Sequence, residues 1–391
     1  MELKNILLIT SDVNKTSAQG VRYCCLFSEY LGYQIHTLSF NMPLSFIIDP
    51  IENICLRNIN SKWLNTLRTF NLKVLRHLLN TFVFPDWLLC FLPLYRKRLR
   101  KLMKLCKYSY IIIGVTPFSL LMLSKWLRMN INDCSFIADM SDPFSFNMGN
   151  KGRPRRVRIA RCIETKSFPY FDKIIVLNET IQKRYQQLYP ELAEKFQVVE
   201  QGVDEDFINR VNESTCSNKN IAQFTFLYAG GFYKKGRNPV NLYNAFELSE
   251  LDCKLEIYGN IRKINRPKNS NKIKFHKAVD KMKLADITAK ANALILFDND
   301  YGYQVPGKTI ETLALGKPVL FIYKNNNSPT LKYIKDASGV VWVKNSVTEI
   351  REGIYKIIKG EFTQPYFDYS PYTWGKMRIK LENLLMKVAK K

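Results

Sequence analysis

Two strand-length apolar runs, residues 291–297 and 319–323, constrain the fold of this chain most. They are separated by a polar loop and one short helical stretch that Pro306 can open and Gly316 can close. Continuous apolar runs of this kind read as parallel strands covered on both faces, and parallel neighbours need a crossover helix. The expected unit is therefore strand, loop, helix, strand in a parallel sheet. Its loop and helix start lie at the carboxyl ends of the strands, where open α/β sheets bind ligands. Lys308 offers that position a positive charge for a phosphate, and Glu311 can accept two hydrogen bonds from a vicinal diol such as a ribose. The pair suits a nucleotide diphosphate sugar; a solvated ion pair on a surface helix is the alternative.

The same alternation runs along the whole chain. Apolar strand-length segments at 5–10, 34–40, 110–115, 135–140, 172–177 and 196–200 are interleaved with helical stretches. A second series begins with 224–230, 254–259 and 273–276. At 391 residues the chain exceeds what one core usually serves. The polar, aperiodic run 212–220 is the expected linker. Near the end Trp374, Met377, Leu381, Leu384, Leu385 and Val388 recur at helical period. The expectation is an α/β protein of two doubly wound, Rossmann-like domains. An N-terminal domain spans 1–205, a second spans 206–370, and a terminal helix covers 371–391.

Charge narrows the partners. The formal net charge is +25, and residues 62–128 hold thirteen Lys and Arg against the single acid Asp86. Trp63, Leu67, Phe70, Val74 and Leu78 form an apolar stripe there, and a basic helix with Arg96, Lys97 and Arg98 follows. Apolar residues beside dense cations suit an anionic membrane surface; a solvated face is the alternative. The run 151–161 adds six cations and no acid, so Arg155 and Arg156 are candidates for holding an acceptor's phosphate. Nine cysteines without CxxC spacing argue against a disulfide framework or a zinc site. The six-residue apolar run at the start reads as a first strand, and no apolar run is long enough to span a bilayer. A reduced, cytoplasmic protein that is peripheral on the inner face of the membrane is the expectation.

Further motifs sit at the expected strand ends. Gly20 and Arg22 open the first helix, and Asp139 and Asp142-Pro143-Phe144 follow the strand 135–140. Gln201-Gly202-Val203-Asp204 closes the first half; Arg237, with Lys235 behind it, follows the first strand of the second. Glu311 with Gly316, Pro318 and Val319 then completes a set that resembles the glycosyl transferases group 1 family (family 4), retaining enzymes of the GT-B fold. Where the commoner family pattern has a second Glu, this chain has Tyr303; Pro306 and Lys308 resemble a subgroup with Pro-x-Lys before the retained Glu. The resemblance implies two domains facing a cleft, with the terminal helix crossing back to the first. It implies Asp142, Arg237 and Lys308 as catalytic residues, and Gly20, Gly202, Arg237, Tyr303, Val305, Lys308 and Glu311 at the donor. It implies sugar transfer from a nucleotide sugar, with retention and without a metal or other cofactor. The acceptor would be a lipid-linked or oligosaccharide glycan in bacterial cell-surface polysaccharide synthesis, such as capsule or O-antigen. Three alternatives stand beside it. Asp298-Asn299-Asp300 has the Asp-x-Asp form of metal-dependent transferases of another fold. The basic charge would also serve a non-enzymatic nucleic-acid binder, although no binding motif supports one. An epimerase on the GT-B fold would need a carboxylate and histidine constellation that is not evident.

Overall fold

The structure is a computed structural model. It describes residues 4–10, 13, 17–27, 33–39, 54–55, 83–216, 223–232, 236–259, 267, 270–300 and 302–389. The chain divides into two compact units, Met1–Gln201 with Trp374–Lys391, and Gly202–Thr373.

Among the described residues the first unit has seven strands: β1 Lys4–Ile9, β2 Tyr33–Ser39, β3 Ile54–Cys55, β4 Tyr110–Gly114, β5 Ser135–Met140, β6 Lys173–Val176 and β7 Phe196–Val198. All pairings are parallel, in the order β3-β2-β1-β4-β5-β6-β7, with Ile6 of β1 opposite Ile35 of β2 and Tyr110 of β4. Every residue of β4 is buried, as a strand covered on both faces requires. Burying each of Ile111, Ile112 and Ile113 contributes about 1.5–3 kcal/mol relative to exposure. The helix Trp374–Ala389 closes this unit. Its Trp374, Met377, Leu381 and Leu385 pack with Ile6, Leu8, Tyr23 and Val199. The terminal helix thus returns to the first unit, as expected.

The second unit holds β8 Phe224–Ala229, β9 Cys253–Tyr258, β10 Ile273–His276, β11 Ala293–Phe297, β12 Val319–Tyr323 and β13 Val340–Lys344. They are parallel, in the order β10-β9-β8-β11-β12-β13. Each sheet begins in its middle, runs outward on one side and then switches to the other. This is the doubly wound arrangement with a topological switch between the first strand and the fourth.

One local expectation changes. The polar run at 212–220 is not simply a linker, because the helix Glu205–Cys216 extends into it. Asp204 Oδ1 accepts from the Phe207 amide at 3.2 Å, and Phe207, Ile208 and Val211 are buried in the second unit. Residues 212–215 are mostly the outward face of that helix, which explains their polarity. The basic run 151–161 enters the helix Pro154–Ser167, with proline at its first turn, where a missing amide costs nothing. The apolar stripe Trp63–Leu78 and Lys235 lie outside the described residues. Among the described residues no helix is long and apolar enough to cross a membrane.

Candidate functional site

The second unit gathers charged residues at the carboxyl ends of its strands. After β8 the chain passes Gly230, whose carbonyl would lie 2.1 Å from a Cβ at Gly259, the residue following β9. With φ at +156°, Gly259 is a position only glycine occupies without strain, and it lets the two loops touch. Arg237 comes next. Its Nε donates to Asn299 Oδ1 at 2.8 Å, and Asn299 Nδ2 donates to the Gln304 carbonyl at 2.9 Å. The Asp300 amide donates to the Gly236 carbonyl at 2.8 Å. The loops after the first and fourth strands of the sheet are thereby laced together at the switch point. Among the described residues the two Nη groups of Arg237 have no hydrogen-bond partner. They remain available as a fork for an anion.

The loop after β11 runs through Tyr303 and Val305, both half-buried, to the single-turn helix Thr309–Leu313. That helix opens at Thr309, not Pro306; the Pro306 carbonyl accepts from the Thr309 amide at 2.9 Å. Gly316, at φ +62°, ends the turn that follows. Lys317 then donates to the carbonyls of Ala289 and Ala291 at 2.9 and 2.8 Å, closing the carboxyl end of the helix Lys281–Lys290. Burial lowers its pKa.

Glu311 is only 17% exposed, and its Oε2 accepts from Lys281 Nζ at 3.1 Å. Lys281 also reaches Asp204 Oδ2 at 2.9 Å, and its ammonium lies 5.1 Å from the Phe207 ring centre. Burial acts to lower the Lys281 pKa, but Glu311 and Asp204 outweigh it and hold the ammonium above the ordinary lysine value. Burial likewise acts to raise the Asp204 pKa, and Lys281 outweighs it and keeps the group below the ordinary carboxylate range. Lys308 is solvent-reachable, yet the protein crowding its ammonium lowers its pKa; Glu311 opposes that fall and Lys281 adds to it. Asp204, Lys281, Lys308 and Glu311 thus form one charged cluster, next to Gly202 in the chain. Lys281 was not singled out from sequence. Its one signal is its place at a helix start shortly after the carboxyl end of β10.

Asp298 and Asp300 have separate partners. Asp298 is buried, its Oδ1 accepts from Thr330 Oγ1 at 2.7 Å, and burial raises its pKa. Asp300 pairs with Lys324 at 3.2 Å. The Asp-x-Asp pattern is therefore engaged by the protein itself. Among the described residues no group of three His, Cys, Asp or Glu could hold a metal ion.

In the first unit Gly20 sits in the helix Ala18–Phe27, and its amide donates to Ser17 Oγ at 2.9 Å. Arg22 on the same helix is buried: it is 1% exposed, its Nε donates to Asp139 Oδ2 at 3.0 Å, and its Nη1 and Nη2 donate to the Glu200 and Val199 carbonyls at 2.7 and 3.0 Å. Asp142 follows β5 on a loop fastened by Glu164, another residue sequence reasoning missed. The Glu164 carboxylate is fully buried and accepts from the Ser145 amide at 2.9 Å, Tyr185 Oη at 3.0 Å and Tyr189 Oη at 2.7 Å. The Phe144 amide donates to Tyr185 Oη at 2.9 Å, and its ring stacks on Phe118 at 4.2 Å. Burial raises the Glu164 pKa, and the three donors pull it back.

The basic residues occupy neighbouring helices of this unit. In Leu92–Leu105, Leu92, Tyr95, Leu99 and Leu102 face inward; Lys97, Arg100 and Lys101 are exposed, and Arg96 and Arg98 are half-buried. The segment Phe118–Asn130 lies between that helix and Pro154–Ser167, where Arg155 is exposed and Arg156 covers the Phe84 ring at 5.5 Å. Leu105, Met129 and Ile159 are exposed on the same three elements.

No protein-family model matches the chain, and no curated protein matches it. Solved structures do. Sucrose-phosphate synthase from Thermosynechococcus elongatus aligns with a TM-score of 0.71 at 13% identity, over 98% of this chain and 99% of that one. The HepE protein of Anabaena in complex with UDP and glucose gives 0.64 at 11%, over 98% and 100%. A UDP-N-acetylglucosamine 2-epimerase gives 0.52 at 12%, over 100% and 98%. The chain has the GT-B fold. At such identities the likeness speaks to fold, and function has to be argued from the site.

Proposed function

We propose that the protein is a retaining glycosyltransferase that takes a sugar from a nucleotide diphosphate sugar. The observation that carries this reading is the Arg237 fork at the switch point, with Lys308 and Glu311 on the loop after β11 of the same unit. Arg237 and Lys308 meet the diphosphate, Glu311 meets the ribose diol, and Gly202, Tyr303 and Val305 line the donor. The solved relative with UDP and glucose bound supports this choice of ligand. In the reaction the bond from anomeric carbon to phosphate oxygen breaks, and its electron pair leaves with the diphosphate. The acceptor oxygen bonds to the same face and passes its proton to a donor phosphate oxygen. Arg237 and Lys308 stabilise the leaving charge, which is why the reaction needs no divalent metal. Asp142 and Gly20 belong to the first unit; Asp142 is the acceptor-side carboxylate, and Gly20 lends a close backbone approach.

The acceptor is a lipid-linked glycan for a bacterial surface polysaccharide such as capsule or O-antigen, and the enzyme works at the inner face of the cytoplasmic membrane. The support is the cationic, partly apolar surface of the first unit, with Arg155 and Arg156 near an acceptor phosphate. Thermal shift against UDP-, GDP- and dTDP-sugars tests the donor. One base should stabilise the protein, and the same nucleotide sugar should be consumed in a transfer assay that continues in EDTA. Stabilisation by nucleic acid and by no nucleotide sugar would overturn the proposal.

A further inference from the structure

Glu311 and Lys308 stand three residues apart on one helical turn, close enough to pair with each other. Such a pair would tie up the two groups the donor needs. In the structure Glu311 Oε2 instead bonds to Lys281, from the start of a different helix. Lys281 is itself fixed on three sides: by Glu311, by Asp204 Oδ2 at 2.9 Å and by the Phe207 ring. Asp204 in turn is held by its bond to the Phe207 amide at 3.2 Å.

We infer that Lys281 is a positioning residue that holds Glu311 away from Lys308, leaving one carboxylate oxygen for the ribose and the Lys308 ammonium for the diphosphate. The inference rests on the donor reading above. One hydrogen bond from Lys281 occupies Oε2 and leaves Oε1 as an acceptor, since an ionised carboxylate accepts at both oxygens. Asp204 balances the second positive charge, so the cluster carries two cations and two anions before the diphosphate arrives. Without Lys281, Glu311 turns to Lys308, and the diphosphate loses one of its two cations. The effect therefore falls on the diphosphate more than on the nucleoside.

The test compares the Kd of the full chain for a nucleoside diphosphate (UDP, GDP or dTDP, whichever the unaltered protein binds) with its Kd for the matching nucleoside. Lys281→Met should weaken the diphosphate roughly tenfold or more, the scale of one lost charge-assisted contact, and the nucleoside clearly less. Lys281→Gln keeps a donor for Asp204, which guards the fold, and should shift the ratio in the same way. Lys281→Arg should keep the diphosphate within about threefold, because it retains the charge and both carboxylate partners. Adding Glu311→Gln to Lys281→Met removes the competing charge and should restore the preference for diphosphate over nucleoside. Equal weakening of both ligands, unchanged binding, or no recovery in the double variant would overturn the inference while the donor reading stands. Failure of the unaltered chain to bind any of the three diphosphates would overturn both.

Discussion

At the scale of single residues, the ion pair Arg22–Asp139 behaves unlike the other pairs. Both side chains are at most 2% exposed, and Arg22 spends its remaining donors on two backbone carbonyls. A buried pair adds little over well-packed apolar residues, but removing one partner strands the other charge. Arg22→Ala should therefore cost about 3–5 kcal/mol of unfolding free energy, read from urea denaturation. A loss under about 1 kcal/mol, the scale of an exposed pair, would show that Asp139 is solvated. Asp298 makes a different prediction. Burial raises its folded pKa, so it binds a proton more tightly folded than unfolded. Its contribution is full below the ordinary carboxylate pKa and is lost as pH rises through the folded value. Asp298→Asn keeps an acceptor for Thr330 and cannot ionise. Its stability relative to the unaltered protein should rise across that window and then level off; a flat difference from pH 4 to 7 would contradict this.

At the scale of elements, the donor loop can be tested by Glu311→Ala. It should weaken nucleotide binding by about 1.5–3 kcal/mol for each charge-assisted hydrogen bond lost to the ribose. Unchanged calorimetric affinity would move the ribose elsewhere. Much of this element was legible in sequence, because the strand after its helix is a continuous apolar run with clear ends, and the observed β12 falls where the sequence puts it. Elsewhere in the chain β5 and β10 also fall at their expected bounds. The start of β11 does not. The strand begins at Ala293; at Asn292 the side-chain oxygen, in place of a backbone carbonyl, accepts from the Thr225 amide at 2.8 Å. Such a bond joins residues 67 positions apart, and local pattern carries no trace of it. Lys281 and Glu164 were missed for the same reason. Lys281 gains its meaning from Glu311, thirty positions away, and Glu164 from Ser145, Tyr185 and Tyr189. The linker misled in the opposite way: residues 212–215 are polar because they face outward on a helix whose buried side is set by Phe207, Ile208 and Val211.

At the scale of the whole molecule, a net charge of +25 has to be accommodated, and the first unit concentrates it. Between Trp87 and Asn132 there is no acidic residue, while Lys97, Arg100 and Lys101 stand exposed on one helix. Leu105 at the end of that helix is 75% exposed, and Met129 is 72% exposed on the helix whose Trp126 ring lies 5.5 Å from Arg100; both are apolar surface that a lipid interface would cover. Each cation near an anionic surface contributes about 1 kcal/mol, so a few acting together give measurable binding. The charge contribution should weaken with salt as the Debye length falls to about 8 Å near physiological ionic strength, while the apolar contribution should persist. Nucleic acid would satisfy the same charges without rewarding Leu105 or Met129. Sedimentation with phosphatidylglycerol vesicles should therefore recover the protein, and phosphatidylcholine vesicles should not. Changing Lys97, Arg100 and Lys101 to Gln should lose most of that binding without altering the Kd for nucleotide. Changing Leu105 and Met129 to Ser should lose the part that survives high salt. Equal recovery on both vesicle types, or none, would leave these helices as a solvated face, and a lipid-linked acceptor would lose its physical support.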